Sequence, residues 1–167
     1  EPIMYNNKEE SAVIKRFEEM LAQNELYFFD VDEFEIITDH YFDRGDFNEA
    51  VKALNMARSQ HPRSPSFPLK HAQYLVTLDK LDEASKELDT AEGLDPYNIE
   101  LIIARSTIFS KKGMHGKAVK LLKKALGTVQ DPYDIYVIIA NEYQSMGDFG
   151  EAVKYLKRTL EEFPEDD

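Results

Sequence analysis

Residues 143–156 read YQSMGDFGEAVKYL, and residues 41–54 read YFDRGDFNEAVKAL. The two stretches are copies of a pattern that repeats every 34 residues. Alanines recur with this spacing at Ala50, Ala84, Ala118 and Ala152. Leucines recur with the same spacing at Leu54, Leu88, Leu122 and Leu156. A fixed period of this length is typical of a stacked repeat protein. The sequence therefore predicts layers in series rather than one irregular globule.

These columns predict two helices in each repeat, joined by a tight turn. One column holds the turn residues Gly45, Asp79, Gly113 and Gly147. Both residue types can adopt the positive φ that such a turn requires. An alanine after the turn lets the second helix approach the first closely, and in the first repeat Leu54 and Ala57 continue that helix face. Pro62 then ends the unit, because a helix cannot run through proline.

The pattern resembles the tetratricopeptide repeat, a helix–turn–helix unit of this length. The resemblance extends from about Val31 to Asp166 without a gap. It implies an all-α fold, an α-α superhelix in which the helical repeats form a right-handed solenoid. We expect an N-terminal capping helix with its linker and then four units, which correspond to residues 1–30, 31–64, 65–98, 99–132 and 133–166.

The second and third units depart from the family pattern at three positions. Pro68 stands where a large apolar residue is usual, and His71 and Arg105 occupy positions that should lie in the core. A histidine in such a position is expected to be neutral and hydrogen-bonded. The departures concern local packing, because the alanine and leucine columns maintain the register through both units.

One further helix is predicted ahead of the first unit. Asn6 or Asn7 can cap it, and Glu9 or Glu10 can complete a capping box. Its apolar stripe consists of Val13, Phe17, Met20 and Leu21. Because stacked repeats need terminal elements with one polar face, we expect this helix to cover the open end of the first unit.

Three aromatic residues follow this helix, namely Tyr27, Phe28 and Phe29. We interpret them as a plug that is buried in the core, and the alternative is an exposed binding site. Asp30 or Asp32 is expected to cap the next helix.

The last helix is predicted to carry an apolar face made of Val153, Leu156, Leu160 and Phe163. In proteins with tetratricopeptide repeats, a following helix usually covers this face. Two hypotheses stay open. The chain is a segment of a longer repeat protein, or the face forms a weak homodimer through the C-terminal helix.

Composition limits the classes of partner. The net charge is −12, whereas binding to nucleic acid requires clustered lysine and arginine. No apolar run approaches the length of a membrane helix, so neither nucleic acid nor a membrane is an expected partner.

The chain has no cysteine, which excludes disulfides and thiolate catalysis but does not indicate a compartment. We take the cytoplasm as the expected location.

Charge is distributed unevenly along the chain. The third unit carries a net charge of +5, whereas every other segment is acidic. Its lysines, Lys111, Lys112, Lys117, Lys120, Lys123 and Lys124, crowd the turn and the second helix. Lys117, Lys120 and Lys124 share one face of that helix. This face is either a solvated surface, partly neutralised by acidic neighbours, or a docking patch for an acidic partner.

Reactive residues do not converge in the sequence. Asp39, His40 and Asp43 lie close along one helix, but a lone histidine with two surface carboxylates lacks a second set of metal ligands. The segment from Gly113 to Lys117 suggests a phosphate loop, yet no serine or threonine follows the lysine to hold magnesium. We therefore expect no catalytic residue, no metal and no cofactor, and we predict that the protein is not an enzyme.

The function predicted from the sequence depends on the shape of a binding surface rather than on reactive residues. The first helices of stacked pairs line a concave surface that usually binds peptide segments. We predict a scaffold or adaptor that binds a protein or peptide partner there, with basic residues near the first unit and small apolar anchors beyond it. The predicted lining residues are Glu35, Asp39, Phe42, Leu69, Gln73, Val76, Ile103, Thr107, Lys111, Val137, Asn141 and Gln144. The alternative is that these side chains only keep an exposed surface soluble.

Overall fold

The computed structural model describes residues 7–162, with side chains from residue 8 to residue 161, and this part of the chain contains nine α-helices and no strand. The helices are α1 Asn7–Gln23, α2 Val31–Asp43, α3 Phe47–Gln60, α4 Ser66–Thr77, α5 Leu81–Leu94, α6 Ile99–Lys111, α7 His115–Ala125, α8 Tyr133–Ser145 and α9 Phe149–Glu162. After α1, consecutive helices associate as pairs, and each pair contacts the next. The predicted all-α superhelix of stacked pairs is confirmed.

The turn within each helix pair has the same backbone geometry. The angle φ is 76° at Gly45, 60° at Asp79, 72° at Gly113 and 78° at Gly147. In the first pair, the Gly45 N–H donates to the Phe42 carbonyl at 3.0 Å. The Asp46 N–H donates to the Tyr41 carbonyl at 2.9 Å. Such bonds satisfy the last carbonyls of a helix, and the predicted positive φ is confirmed at all four positions.

The alanine and leucine columns lie in the core of the first three helix pairs. The residues of these columns that are fully or almost fully buried are Ala50, Leu54, Ala84, Leu88, Ala118 and Leu122. The alanine methyl allows two backbones to approach, and burial of each leucine contributes about 1.5–3 kcal/mol. The core therefore extends along the stack as a series of layers.

Helix α1 covers the outer side of the first pair. It packs against α2, and Ile14, Phe17 and Met20 are buried in this contact. The ring centroids of Phe17 and Phe29 lie 5.8 Å apart. The predicted apolar stripe is wrong at Leu21, which is 38% exposed, and it omits Ile14, which is buried.

The side chain of Gln60 holds the linker between α1 and α2. Its Oε1 accepts the Phe29 N–H at 3.0 Å, and its Nε2 donates to the Tyr27 carbonyl at 2.8 Å. With the backbone on both sides fixed in this way, Phe29 is buried and Phe28 is 64% exposed. The prediction of a buried aromatic plug is therefore wrong for Phe28.

A capping box begins α2. The Asp30 carboxylate accepts the Glu33 N–H at 2.8 Å, and the Glu33 carboxylate accepts the Asp30 N–H at 2.9 Å. Of the two predicted caps, Asp30 is therefore the one used, and Asp32 lies in the first turn. At the other predicted start, Asn7 is the first residue of α1, and Asn6 lies outside the described residues.

His71 and Arg105, which depart from the repeat pattern, both bind carboxylates of α5. His71 Nδ1 lies 2.8 Å from Glu87 Oε1, and Arg105 Nη2 binds two other carboxylates of α5 at 2.7 and 2.5 Å. The expected hydrogen bonding of His71 is confirmed, but both residues are only half-buried because their polar ends meet these partners. Pro68 is buried in the first turn of α4, where its missing N–H removes no helical bond.

The apolar face of α9 is open to solvent. Val153, Leu156 and Leu160 are all exposed, as predicted. Phe163, the fourth residue of the predicted face, lies outside the described residues. The inner side of α9 packs against α8 through Ala152 and Tyr155, so the helix is attached by one side only within the described part of the chain.

Candidate binding groove

A cavity of about 430 Å³ opens between α2, α4 and the beginning of α6. We call this cavity the groove. These helices are the first members of three consecutive pairs, and α4 contacts α6 directly. The groove is lined by Glu35, Ser66, Leu69, Lys70, Gln73, Asn98, Ile99 and Glu100.

Three of the residues predicted to line a binding surface meet in the groove, namely Glu35, Leu69 and Gln73. Glu35 and Leu69 are 34 residues apart and occupy equivalent positions on α2 and α4. Leu69 is largely buried and provides an apolar wall. Gln73 is exposed, and its amide has no hydrogen-bond partner among residues 7–162, which leaves it available to a ligand.

Sequence reasoning missed several residues of the groove, most importantly Lys70 and Glu100. The sequence did indicate Glu100. Ser66 lies about one helical turn before Leu69, and Glu100 follows Ser66 by one 34-residue period. Lys70 carried no comparable signal. Its role depends on a carboxylate from a different helix, which no local pattern indicates.

Asp39, one of the predicted lining residues, does not contribute a free negative charge to the groove. Lys70 Nζ lies 2.5 Å from Asp39 Oδ1, so the two charges neutralise each other across α2 and α4. Glu35 and Glu100 remain without an ion-pair partner in the part of the chain that the structure describes. The uncompensated negative charge therefore lies at Glu35 and Glu100 rather than at Asp39.

Two predicted lining residues are engaged in packing. The Phe42 ring lies 4.6 Å from that of Tyr74, which also contacts Phe47 at 4.9 Å. Val76 is buried in the core with residues of α6. Val76 does not line the groove, because α4 packs against both α5 and α6 and Val76 lies on the packed side.

The remaining predicted residues lie on α6 and α8 and do not line the groove. On α6, Ile103 and Thr107 are half-buried, and the Thr107 hydroxyl donates to the Ile103 carbonyl at 3.0 Å. Lys111 is exposed, with its Nζ 3.9 Å from Asp79 Oδ1. On α8, Val137 is half-buried, and two exposed amides, Asn141 and Gln144, follow it.

The described residues contain neither a cluster of metal ligands nor a helix that could span a membrane. Between residues 7 and 162, no three side chains of histidine, aspartate or glutamate are grouped so as to hold a metal ion. Asp39 is bound to Lys70, and the His40 ring contacts Tyr41 at 5.2 Å. None of the nine described helices combines the length and the apolar character that crossing a membrane requires.

Stacked helix pairs with a groove on the side of their first helices define a helical-repeat protein. A family model for the tetratricopeptide repeat matches residues 133–166. The TPR repeat-containing protein YpiA of Bacillus subtilis (strain 168) is 23% identical over 122 residues, covering 73% of this chain and 29% of YpiA. The TPR repeat-containing protein MJ1428 of Methanocaldococcus jannaschii is 28% identical over 116 residues, covering 70% of this chain and 20% of MJ1428.

The fold agrees with these matches. The crystal structure of TTC0263, a thermophilic TPR protein of Thermus thermophilus, superimposes with a TM-score of 0.74 at 24% identity, covering 94% of this chain and 84% of that protein. The family-model match, the two relatives and the fold together support a tetratricopeptide repeat protein. It spans less than a third of the length of the two curated relatives. The family fold generally mediates protein–protein interaction and is typically not enzymatic.

Proposed function

We propose that the protein is an interaction adaptor that binds a peptide segment of a partner protein in the groove. The observation that carries this proposal is the groove itself, which three consecutive repeats form and which combines an apolar wall with two uncompensated carboxylates. The family fold supports a protein partner. The cytoplasmic location and the absence of a reaction remain predictions.

The negative charge in the groove favours binding of a basic peptide segment. Glu35 approaches from α2 and Glu100 from α6, so a lysine or arginine side chain between them would meet negative charge from both sides. The free Gln73 amide can donate to and accept from a peptide backbone. Leu69 and Ile99 offer contact to a small apolar side chain next to the basic one.

A display library of random peptides tests this proposal. Peptides enriched on the purified protein are expected to combine a basic residue with a neighbouring apolar residue. Reversing both charges with Glu35→Lys and Glu100→Lys should weaken binding of these peptides by about tenfold or more, because each exposed charge pair is worth up to about 1 kcal/mol. Fluorescence anisotropy with labelled peptides measures the change.

The matched control is Glu18→Lys, which reverses an exposed carboxylate on α1, outside the groove. It should leave the affinity unchanged. The proposal fails if no peptide is enriched, or if the groove variant and the control bind the enriched peptides equally well.

As a second candidate function, we propose that the chain is a structural segment of a longer repeat protein. The exposed leucines of α9 support it, since Leu156 belongs to the column whose earlier members lie between helix pairs. A copy of residues 133–148 appended in the 34-residue register should cover this face and raise the melting temperature by about 5 °C or more. The same extension on a Leu156→Lys background is the control.

Self-association through α9 is the competing explanation of the exposed face. Light scattering over a range of concentrations separates the two. A concentration-dependent dimer that Leu156→Lys abolishes would replace the structural-segment proposal, and an extension that brings no gain in melting temperature would also contradict it.

A further inference from the structure

The six lysines of the third repeat differ in whether a neighbouring side chain binds them. Lys112 Nζ lies 2.9 Å from Asp82, and this hydrogen bond lowers the pKa of the Asp82 carboxyl. Lys123 Nζ lies 2.7 Å from the Tyr143 hydroxyl. The other three lysines of α7, which are Lys117, Lys120 and Lys124, are exposed and have no carboxylate partner among residues 7–162. The acidic neighbours therefore leave these three charges uncompensated.

Two cavities flank Lys117 and Lys124 where α7 meets the second repeat, and Lys120, which lies between these two lysines in the sequence, lines neither cavity. The larger, of about 530 Å³, includes Arg105, Leu121 and Lys124 in its lining. The smaller, of about 260 Å³, includes Arg105 and Lys117. Because both cavities include Arg105, they adjoin along α7, with one uncompensated lysine at each. We call the two cavities together the α7 seam.

The wall of the larger cavity is mostly apolar and is formed by Tyr97, Ile99, Leu101, Ile102, Leu121 and Val129. Tyr97 is 90% exposed on the loop before α6. The guanidinium of Arg105 does not attract a ligand here, because Asp89 and Glu92 of α5 already bind it. The cavity thus offers apolar contact, and positive charge comes from α7 alone.

We propose that the α7 seam binds an acidic segment of a partner protein, with one apolar side chain in the larger cavity and carboxylates on Lys117, Lys120 and Lys124. These lysines occupy positions i, i+3 and i+7 of one helix, so they span about 10 Å along its axis. Carboxylates spaced by one helical turn match them. The site is separate from the groove, although Ile99 contributes to both cavities.

Charge complementarity favours an acidic protein segment over other occupants. The third repeat is the basic region of a chain with a net charge of −12, so an acidic partner is attracted to α7 and repelled elsewhere, which fixes its position. Nucleic acid would meet the same repulsion from the flanking acidic repeats, and it has no aliphatic side chain for the larger cavity.

A peptide array tests the proposal on the full chain. The probes are 12-residue peptides with aspartate or glutamate at every third or fourth position, each with or without one central leucine or phenylalanine. Binding is expected to require the apolar residue and to weaken as salt is raised. The combined variant Lys117→Gln, Lys120→Gln and Lys124→Gln should lower the affinity at least tenfold.

The matched control removes three exposed lysines elsewhere, with Lys8→Gln, Lys15→Gln and Lys52→Gln, and should bind as the unchanged protein does. The groove variant with Glu35→Lys and Glu100→Lys should also retain binding, which separates this site from the proposed function. A Leu121→Gln variant, with its melting temperature checked, should lose the preference for an apolar residue.

Three outcomes would overturn the proposal. The first is that no acidic peptide binds more tightly to the unchanged protein than to the α7 variant. The second is that the control with the other three lysines removed loses as much affinity, which would indicate an effect of net charge. The third is that duplex DNA or phosphatidylserine vesicles bind as well as the best peptide and depend on the same lysines.

Discussion

The two ends of the helix stack differ in how their apolar faces are covered. At the N-terminal end, α1 packs on α2, and Phe17 and Phe29 are fully buried. At the other end, α9 exposes 45% of Leu156 and 67% of Leu160. Leu122, which stands one period before Leu156, is fully buried. The same residue at the same position of the repeat is core or surface according to what packs on it.

This difference teaches that the stability of each repeat comes largely from its neighbours. In a stack of repeats, total stability is approximately the sum of intrinsic repeat terms and interface terms. The N-terminal repeat has an interface on each side, whereas α9 lacks one in the described part of the chain. Substitutions at equivalent positions should therefore have unequal effects at the two ends.

The largest expected effect is at the covered end. Phe17→Ala should lower the free energy of unfolding by about 3–5 kcal/mol, because it leaves a cavity between α1 and α2. Phe149→Ala, at a phenylalanine of α9 that is 65% exposed, should cost less than about 1 kcal/mol. Urea denaturation followed by circular dichroism measures both. Equal losses would show that α1 does not seal the stack in solution.

An intermediate effect is expected in the leucine column. Leu122→Ala should lower the free energy of unfolding by about 2–5 kcal/mol, as is usual for a fully buried leucine. Leu156→Ala removes the same atoms from a partly exposed side chain and should cost less than about half as much. Thermal and urea unfolding of both variants test this. If Leu156→Ala is as destabilising as Leu122→Ala, another molecule covers α9 in solution.

The smallest effect concerns the turns and should be the same at both ends. Gly45→Ala and Gly147→Ala should each cost about 1–2 kcal/mol, because alanine is strained at positive φ. The space around both glycines admits a methyl group, since the nearest other atom lies 3.9 Å from the added carbon at Gly45 and none lies within 4 Å at Gly147.

The control for the turns is Gly93→Ala, within α5, where φ is not positive and no atom lies within 4 Å of the added carbon. There alanine should be neutral or stabilising, because it favours the helix. A clear difference between the costs at Gly45 and Gly147 would contradict a purely local origin of the turn strain.

The repeat pattern predicted the parts of the fold that depend on local or periodic signals. Gly45 and Asp79 could be assigned to the same turn because both residue types tolerate positive φ. In the groove, Glu35 and Leu69 could be found because they lie one period apart on equivalent helices.

The errors fall where a side chain depends on a partner from a distant segment. Asp39 was expected to line the binding surface, but Lys70 of the next repeat neutralises it and it does not line the groove. Phe28 was expected in the core, but Gln60 holds the linker with Phe28 outward. These contacts join residues about 30 positions apart in the chain, and no periodic column contains them.

The amino-acid sequence by itself determined the period, the turns and the helix pairs of this helical-repeat protein, because these depend on backbone conformation and on apolar spacing within one unit. Only the tertiary structure decided which charges remain uncompensated, as at Glu100 and Lys124, and which leucines are buried. The reason is that ion pairing and burial depend on the distance between side chains from different helices, and that distance is established when the repeats stack.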